Sequence, residues 1–209
     1  MRVGVLASGA GTNLQAILDR VHGHGGIEVV GVASDRPGAP ALSRASAACV
    51  ETAVFARGEH PSRDARDAAL AGWLEERDVE LVVLAGYMQL LTAGFLAHFP
   101  RGVVNVHPAL LPCFPGLRAI EQAVEHGVKV FGVTVHFVDE GVDTGPIIAQ
   151  RAVELPGLPA APEVREALRP LEHDLLCDVV RGIAEGAIAA DPASPRRIAY
   201  RPPAMGGSL

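Results

Sequence analysis

Short apolar runs alternate along the chain with stretches whose apolar residues recur every three or four positions, the two periodicities of strand and helix. Val3 to Ala7 is the first run. After Ser8-Gly9-Ala10-Gly11-Thr12-Asn13 it gives way to Leu14, Ile17, Leu18 and Val21 at helical spacing. The same alternation predicts strands over 28–33, 50–55, 80–85, 102–107, 129–138 and 147–155, and helices over 39–48, 64–77, 93–98 and 117–125. Val164, Leu168, Leu171, Leu175, Val179 and Ile183 mark a last long helix, which Pro170 is expected to kink or interrupt. The run Leu81 to Ala85 is apolar without alternation, the pattern of a strand covered on both faces in the middle of a parallel sheet. Strands and helices joined by short connections predict one α/β domain over residues 1–189, doubly wound, with a mostly parallel sheet and helices on both faces. Residues 190–209, with Pro192, Pro195, Pro202, Pro203 and Gly206-Gly207, are expected to form a loosely held tail.

Composition narrows the partners. Lys+Arg 18 against Asp+Glu 24 gives a net charge of −6, opposite to the basic footprint of a nucleic-acid binder, so no nucleic-acid partner is expected. No apolar stretch approaches the ~20 residues of a membrane span, and Met1 to Ala7 is too short for a signal segment. A cytoplasmic protein without a membrane partner is the expectation. Cys49, Cys113 and Cys177 are far apart, odd in number and without C-x-x-C spacing, which suits a reducing compartment and predicts no metal site.

In a doubly wound sheet, ligands bind beyond the carboxyl ends of the strands, so the polar residues that follow the apolar runs are the candidates for chemistry. Gly9 and Gly11 let the backbone approach an anion at the start of a helix, where unpaired N–H groups favour negative charge. Leu14 stands in place of the third glycine of a dinucleotide fingerprint, which argues against a nicotinamide and for a phosphate monoester. A tight turn with an ordinary cap is the alternative. Asn105 and His107 alternate onto one face of their strand, where an amide and an imidazole can converge on the oxyanion developing at a carbonyl. A capped strand end with a hydrogen-bonded histidine is the competing account. Asp143 is the carboxylate able to join them and favour a charged ring, although such an acidic turn is more often a solvated loop. His136 alternates onto the face opposite Phe137 and is assigned a structural role, as are Trp73 and the cysteines.

Together, Ser8-Gly9-Ala10-Gly11-Thr12-Asn13, Leu84-Ala85-Gly86-Tyr87-Met88, Asn105-Val106-His107-Pro108-Ala109-Leu110-Leu111-Pro112 and His136-Phe137-Val138 followed by Asp143-Thr144-Gly145-Pro146 resemble the phosphoribosylglycinamide formyltransferase family. The resemblance spans nearly the whole chain and implies a Rossmann-like formyltransferase fold. It also implies transfer of the formyl group of 10-formyltetrahydrofolate, as co-substrate, to the amine of glycinamide ribonucleotide in purine biosynthesis. The family's catalytic Asn, His and Asp fall on Asn105, His107 and Asp143, and neither a metal nor a covalent enzyme intermediate is implied. Gly11, Thr12, Asn13, Pro108 and Glu172 would hold the ribonucleotide. Arg63, Met88, Gln89, Leu90, Leu91, Asn105, Asp139, Glu140, Gly141, Val142 and Asp143 would hold the folate, with Gln89 standing where many relatives carry a basic residue. Both partners are small molecules, and a homodimer is an allowed assembly state. Methionyl-tRNA formyltransferases and formyltetrahydrofolate hydrolases share the catalytic region, and a non-catalytic nucleotide-binding module is the alternative of another class. The first two carry further domains, so 209 residues and a charge of −6 set the expectation of a small ribonucleotide as acceptor.

Overall fold

The computed structural model describes residues 1–157 and 159–201. Its first half alternates as expected: β1 (Arg2–Leu6), α1 (Thr12–Arg20), β2 (Glu28–Ser34), α2 (Pro40–Ala47), β3 (Thr52–Val54), α3 (Arg63–Glu75), β4 (Leu81–Leu84), α4 (Ala93–His98) and β5 (Val103–His107). The second half holds α5 (Ala119–His126), β6 (Val130–Phe137), β7 (Ile147–Glu154), α6 (Ala161–Ala184), β8 (Ile188–Asp191) and β9 (Ser194–Tyr200).

Seven strands form one sheet in the order β3-β2-β1-β4-β5-β6-β7. The first five are parallel, whereas β6 runs antiparallel to both β5 and β7. The strand order reverses between β1 and β4, so the turns that follow these two strands part and leave a crevice, the usual ligand position in such sheets.

The unalternating apolar run of β4 has a direct cause. Leu81 and Val83 join Val3, Val5, α1 and α6 in a core on one face. Val82 and Leu84 join Leu6, Leu70 and Leu74 of α3 and Phe95 of α4 in a second core on the other. In β6, Phe131, Val133 and Val135 share the first core, as their alternation predicts.

At Gly132 in β6, a Cβ atom would overlap the carbonyl oxygen of Arg151 and the side chain of Leu110. Gly132→Ala is therefore expected to lower stability by about 1–3 kcal/mol, the usual range for overpacking. Urea denaturation checks this as a reduced midpoint at unchanged slope; an unmoved midpoint would show that Leu110 and β7 yield freely.

Two expectations are corrected. Pro170 does not interrupt its helix, since α6 is helical throughout Ala161–Ala184. Val164 and Leu168 before the proline, and Leu175, Leu176, Val179 and Val180 after it, are buried, and this packing outweighs the ~3 kcal/mol that an internal proline costs. The stretch read as a loose tail begins as a hairpin, β8 pairing antiparallel with β9. Ile188, Ile198 and Tyr200 pack against the first core, which is what holds the hairpin down. The remainder of that stretch, residues 202–209, lies outside the described residues. No helix among the described residues is long and apolar enough to cross a membrane.

Candidate active site

The crevice is built from the strand ends. Gly11 takes φ +70, and a Cβ there would come within 2.8 Å of Ala41. As the N-cap of α1 it offers no side chain to the first helical N–H groups. Ser8 ties this turn to the one after β4, its Oγ accepting from the Met88 N–H at 2.8 Å. Below Met88 runs a buried polar chain. Gln89 donates to Asp35 at 2.8 Å and accepts from Arg66 at 3.2 Å, while Arg66 grips Asp67, which accepts from the Thr92 N–H at 2.8 Å.

Asp143 is the hub of the polar group. Its Oδ2 accepts from the Gly116 N–H at 2.7 Å and lies 3.3 Å from His107 Nδ1. Its Oδ1 accepts from Asn105 Nδ2 at 3.2 Å and lies 3.5 Å from His136 Nε2. Because β6 is antiparallel, Phe137 ends beside Val104 at the start of β5, and the loop that follows folds back to bring Asp143 to the sheet. The fold-back is formed by Asp139, whose Oδ1 accepts from the Gly141 N–H at 3.1 Å and the Thr144 hydroxyl at 2.6 Å. Burial pushes the Asp143 carboxyl up, but the His136 hydrogen bond, the Gly116 N–H and the two imidazoles outweigh it and hold its pKa at about 2.

Both histidines are oriented by carbonyls, which can only accept. His107 Nε2 lies 2.8 Å from the Phe114 oxygen and His136 Nδ1 lies 2.7 Å from the Phe137 oxygen, so each of these nitrogens carries a proton. The second nitrogen of each ring then faces Asp143. Asn105 directs one N–H at the Asp143–His136 pair, with its Nδ2 3.3 Å from His136 Nε2. Asn105 and His136 are direct cross-strand partners, which puts both side chains on one face. The structural role assigned to His136 is thus incomplete, since it touches the hub.

Asn105, His107 and Asp143 open into a cavity of about 1030 Å³, large enough for two small ligands. One set of lining residues comprises Thr12, Glu121, Arg165, Arg169 and Glu172; another comprises Arg57, Arg63, Arg66, Met88, Gln89 and Leu90; Pro108 and Val142 also line it. Asn13 is set just behind the lining and donates to Glu172 at 3.2 Å. Burial raises the Glu172 carboxyl, while Asn13, Arg169 and Arg165 act against the rise. Leu91 is buried, and its carbonyl accepts from Arg63 at 2.8 Å. Gly11, Asp139, Glu140 and Gly141 shape turns without lining the cavity.

Sequence reasoning missed several wall residues: Arg66, Arg118, Arg165 and Arg169. Arg165, Arg169 and Glu172 carried a signal, since spacings of four and three place them on one helix face. Six arginines line the cavity against three carboxylates, a local reversal of the chain's net charge of −6.

This fold and site define a class. The formyl transferase family model matches residues 1–180, and the chain belongs to that family. Within it, the chain is 38% identical over 178 residues to phosphoribosylglycinamide formyltransferase of Bacillus subtilis, covering 85% of this chain and 91% of that protein. It is 46% identical over 157 residues to the trifunctional purine biosynthetic protein adenosine-3 of Drosophila melanogaster, covering 74% of this chain but only 12% of that much longer protein. Glycinamide ribonucleotide transformylase 1 of Symbiobacterium toebii superposes with a TM-score of 0.91 at 46% identity, over 96% of this chain and 93% of that one.

Proposed function

We propose that this chain transfers the formyl group of 10-formyltetrahydrofolate to the amine of glycinamide ribonucleotide, a step of purine biosynthesis. The convergence of Asn105, His107 and Asp143 on one cavity carries this reading. The names of its relatives support the substrates. Exposed Met88, Leu90 and Val142 offer apolar surface for the flat rings of a folate, and Arg63 a cation for its carboxylate tail. The uncapped first turn of α1, with Thr12, Asn13 and Glu172, suits a ribonucleotide phosphate and its polar neighbours.

In the reaction the amine nitrogen attacks the formyl carbon and a tetrahedral intermediate forms. The bond from that carbon to N10 then breaks, the former amine gives up one proton and N10 gains one. Asn105 has a second N–H beyond the one directed at Asp143, and it donates to the oxyanion. A protonated His107 is a positive charge beside it whose two N–H groups each have an acceptor, Phe114 or Asp143. Asp143 keeps the amide and the ring in position, and its negative charge favours passage of the proton, through water, from the amine to N10.

The test is a spectrophotometric assay of deformylated folate formed from 10-formyltetrahydrofolate, with and without glycinamide ribonucleotide. Product only in the presence of the ribonucleotide is expected. Equal product without it would replace the transferase by a hydrolase, and none in either mixture would remove the folate assignment.

A further inference from the structure

The arginines of the cavity wall differ in what already holds them. Arg66 is paired with Asp67, Arg165 with Glu121 and Arg169 with Glu166, and Arg63 donates to the Leu91 carbonyl. Arg118 also lines the cavity, and among the described residues its guanidinium, like that of Arg57, has no hydrogen bond and no ion pair. Its backbone is costly for an arginine: at φ 61 and ψ 34 it is left-handed, a conformation that glycine adopts without strain. Arg118 occupies the N-cap of α5 without supplying a side-chain cap, so helix capping does not account for it. Two residues earlier, the Gly116 N–H is bonded to Asp143, which ties the segment to the hub.

Its neighbours say which set of wall residues it joins. The Glu121 carboxyl is held low by its own backbone N–H and by Arg165, and Arg118 adds to the effect. Arg165 and Arg169 in turn act on Glu172, which is bonded to Asn13. Arg118 sits at the N-cap of α5, whose first-turn Glu121 is bonded to Arg165 of α6 at 2.8 Å, and α6 is bonded to α1 through Glu172 and Asn13. Arg118 therefore belongs with α1 and α6 rather than with Arg63.

We infer that Arg118 binds the phosphate of the acceptor ribonucleotide, adding an unengaged guanidinium to Arg165, Arg169 and the open first turn of α1. This rests on the ribonucleotide reading of the site. A phosphate dianion brings more charge than a helix N-terminus offsets, and the planar fork of arginine matches phosphate oxygens.

The experiment compares KM for each substrate in wild type, Arg118→Ala, Arg118→Gly, Arg118→Lys and Arg57→Ala. The Ala and Gly variants are expected to raise the ribonucleotide KM about tenfold, the size of one lost charge-assisted contact. Their kcat values and folate KM should stay near those of wild type, and Lys should recover part of the loss. Arg118→Gly relieves the left-handed strain, so its KM defect cannot be blamed on a damaged fold. Arg57→Ala removes the same charge from the other set of wall residues and should leave the ribonucleotide KM in place. An unchanged ribonucleotide KM in both Ala and Gly, or a rise in the folate KM instead, overturns this inference alone. A wild-type protein without ribonucleotide-dependent turnover overturns the function and the inference with it.

Discussion

Asp143→Asn is expected to lower kcat for formyl transfer by about 10²-fold or more, the usual size of a lost electrostatic or proton-transfer contribution. Asparagine keeps the shape, and its amide oxygen can still accept from Gly116 or Asn105. What disappears is the negative charge between His107 and His136. The same variant carries a signature in acid. The folded-state pKa of about 2 lies below the unfolded value of about 3.9, so ionised Asp143 stabilises the fold above the unfolded value. That contribution, about 2 kcal/mol for a side chain only 13% exposed, is lost as pH falls from about 4 to 2. Urea titrations of wild type and variant should differ near pH ~5 and converge as the pH falls toward ~2. Near-normal kcat, or a stability difference that does not narrow, would falsify the hub role.

Arg66→Met is expected to cost about 3–5 kcal/mol of stability, because it strands a buried charge. Arg66 is 3% exposed and Asp67 0%, and two guanidinium nitrogens reach one Asp67 oxygen at 2.9 and 2.6 Å. Without Arg66, Asp67 keeps the Thr92 N–H as its remaining partner, and Gln89 loses one of its two contacts. Arg66→Met combined with Asp67→Asn should recover a large part of the loss, since no lone charge remains. Chemical denaturation of wild type and the two variants decides the matter: a single change costing under ~1 kcal/mol would mean the pair is not integral to the wall.

The fold was largely legible because it is written in periodicity. β4 announced its central place by lacking alternation, and Asn105 and His107 announced a common face by a spacing of two. What stayed hidden depends on register between distant segments. His136 was set aside from its alternation with Phe137, yet its cross-strand pairing with Asn105 decides its surroundings, and nothing local encodes that register. Arg66 carried no local sign of burial, because the Gln89 it bonds to comes from a distant segment. Arg118 had no periodic signal, since its position reflects a left-handed turn before α5. The β8–β9 hairpin was obscured by Pro192, which lies in its turn, and Pro195, which lies inside β9; the alternation of Ile198 and Tyr200 was the overlooked sign.

The four side chains of the polar centre, Asn105, His107, His136 and Asp143, together with the Gly116 N–H, fall within the contiguous segment 105–143. Residues assigned to substrate binding lie both outside this segment, as Thr12, Asn13, Arg63, Met88 and Glu172 do, and inside it, as Pro108, Arg118 and Val142 do. The reaction centre is therefore contiguous in sequence, whereas the acceptor wall is assembled from three stretches. Grafting experiments can exploit this arrangement: exchanging the α1 turn, Arg118 and the wall face of α6 together between family members should redirect acceptor preference, while Asn105, His107, His136 and Asp143 are carried over as one contiguous reaction centre.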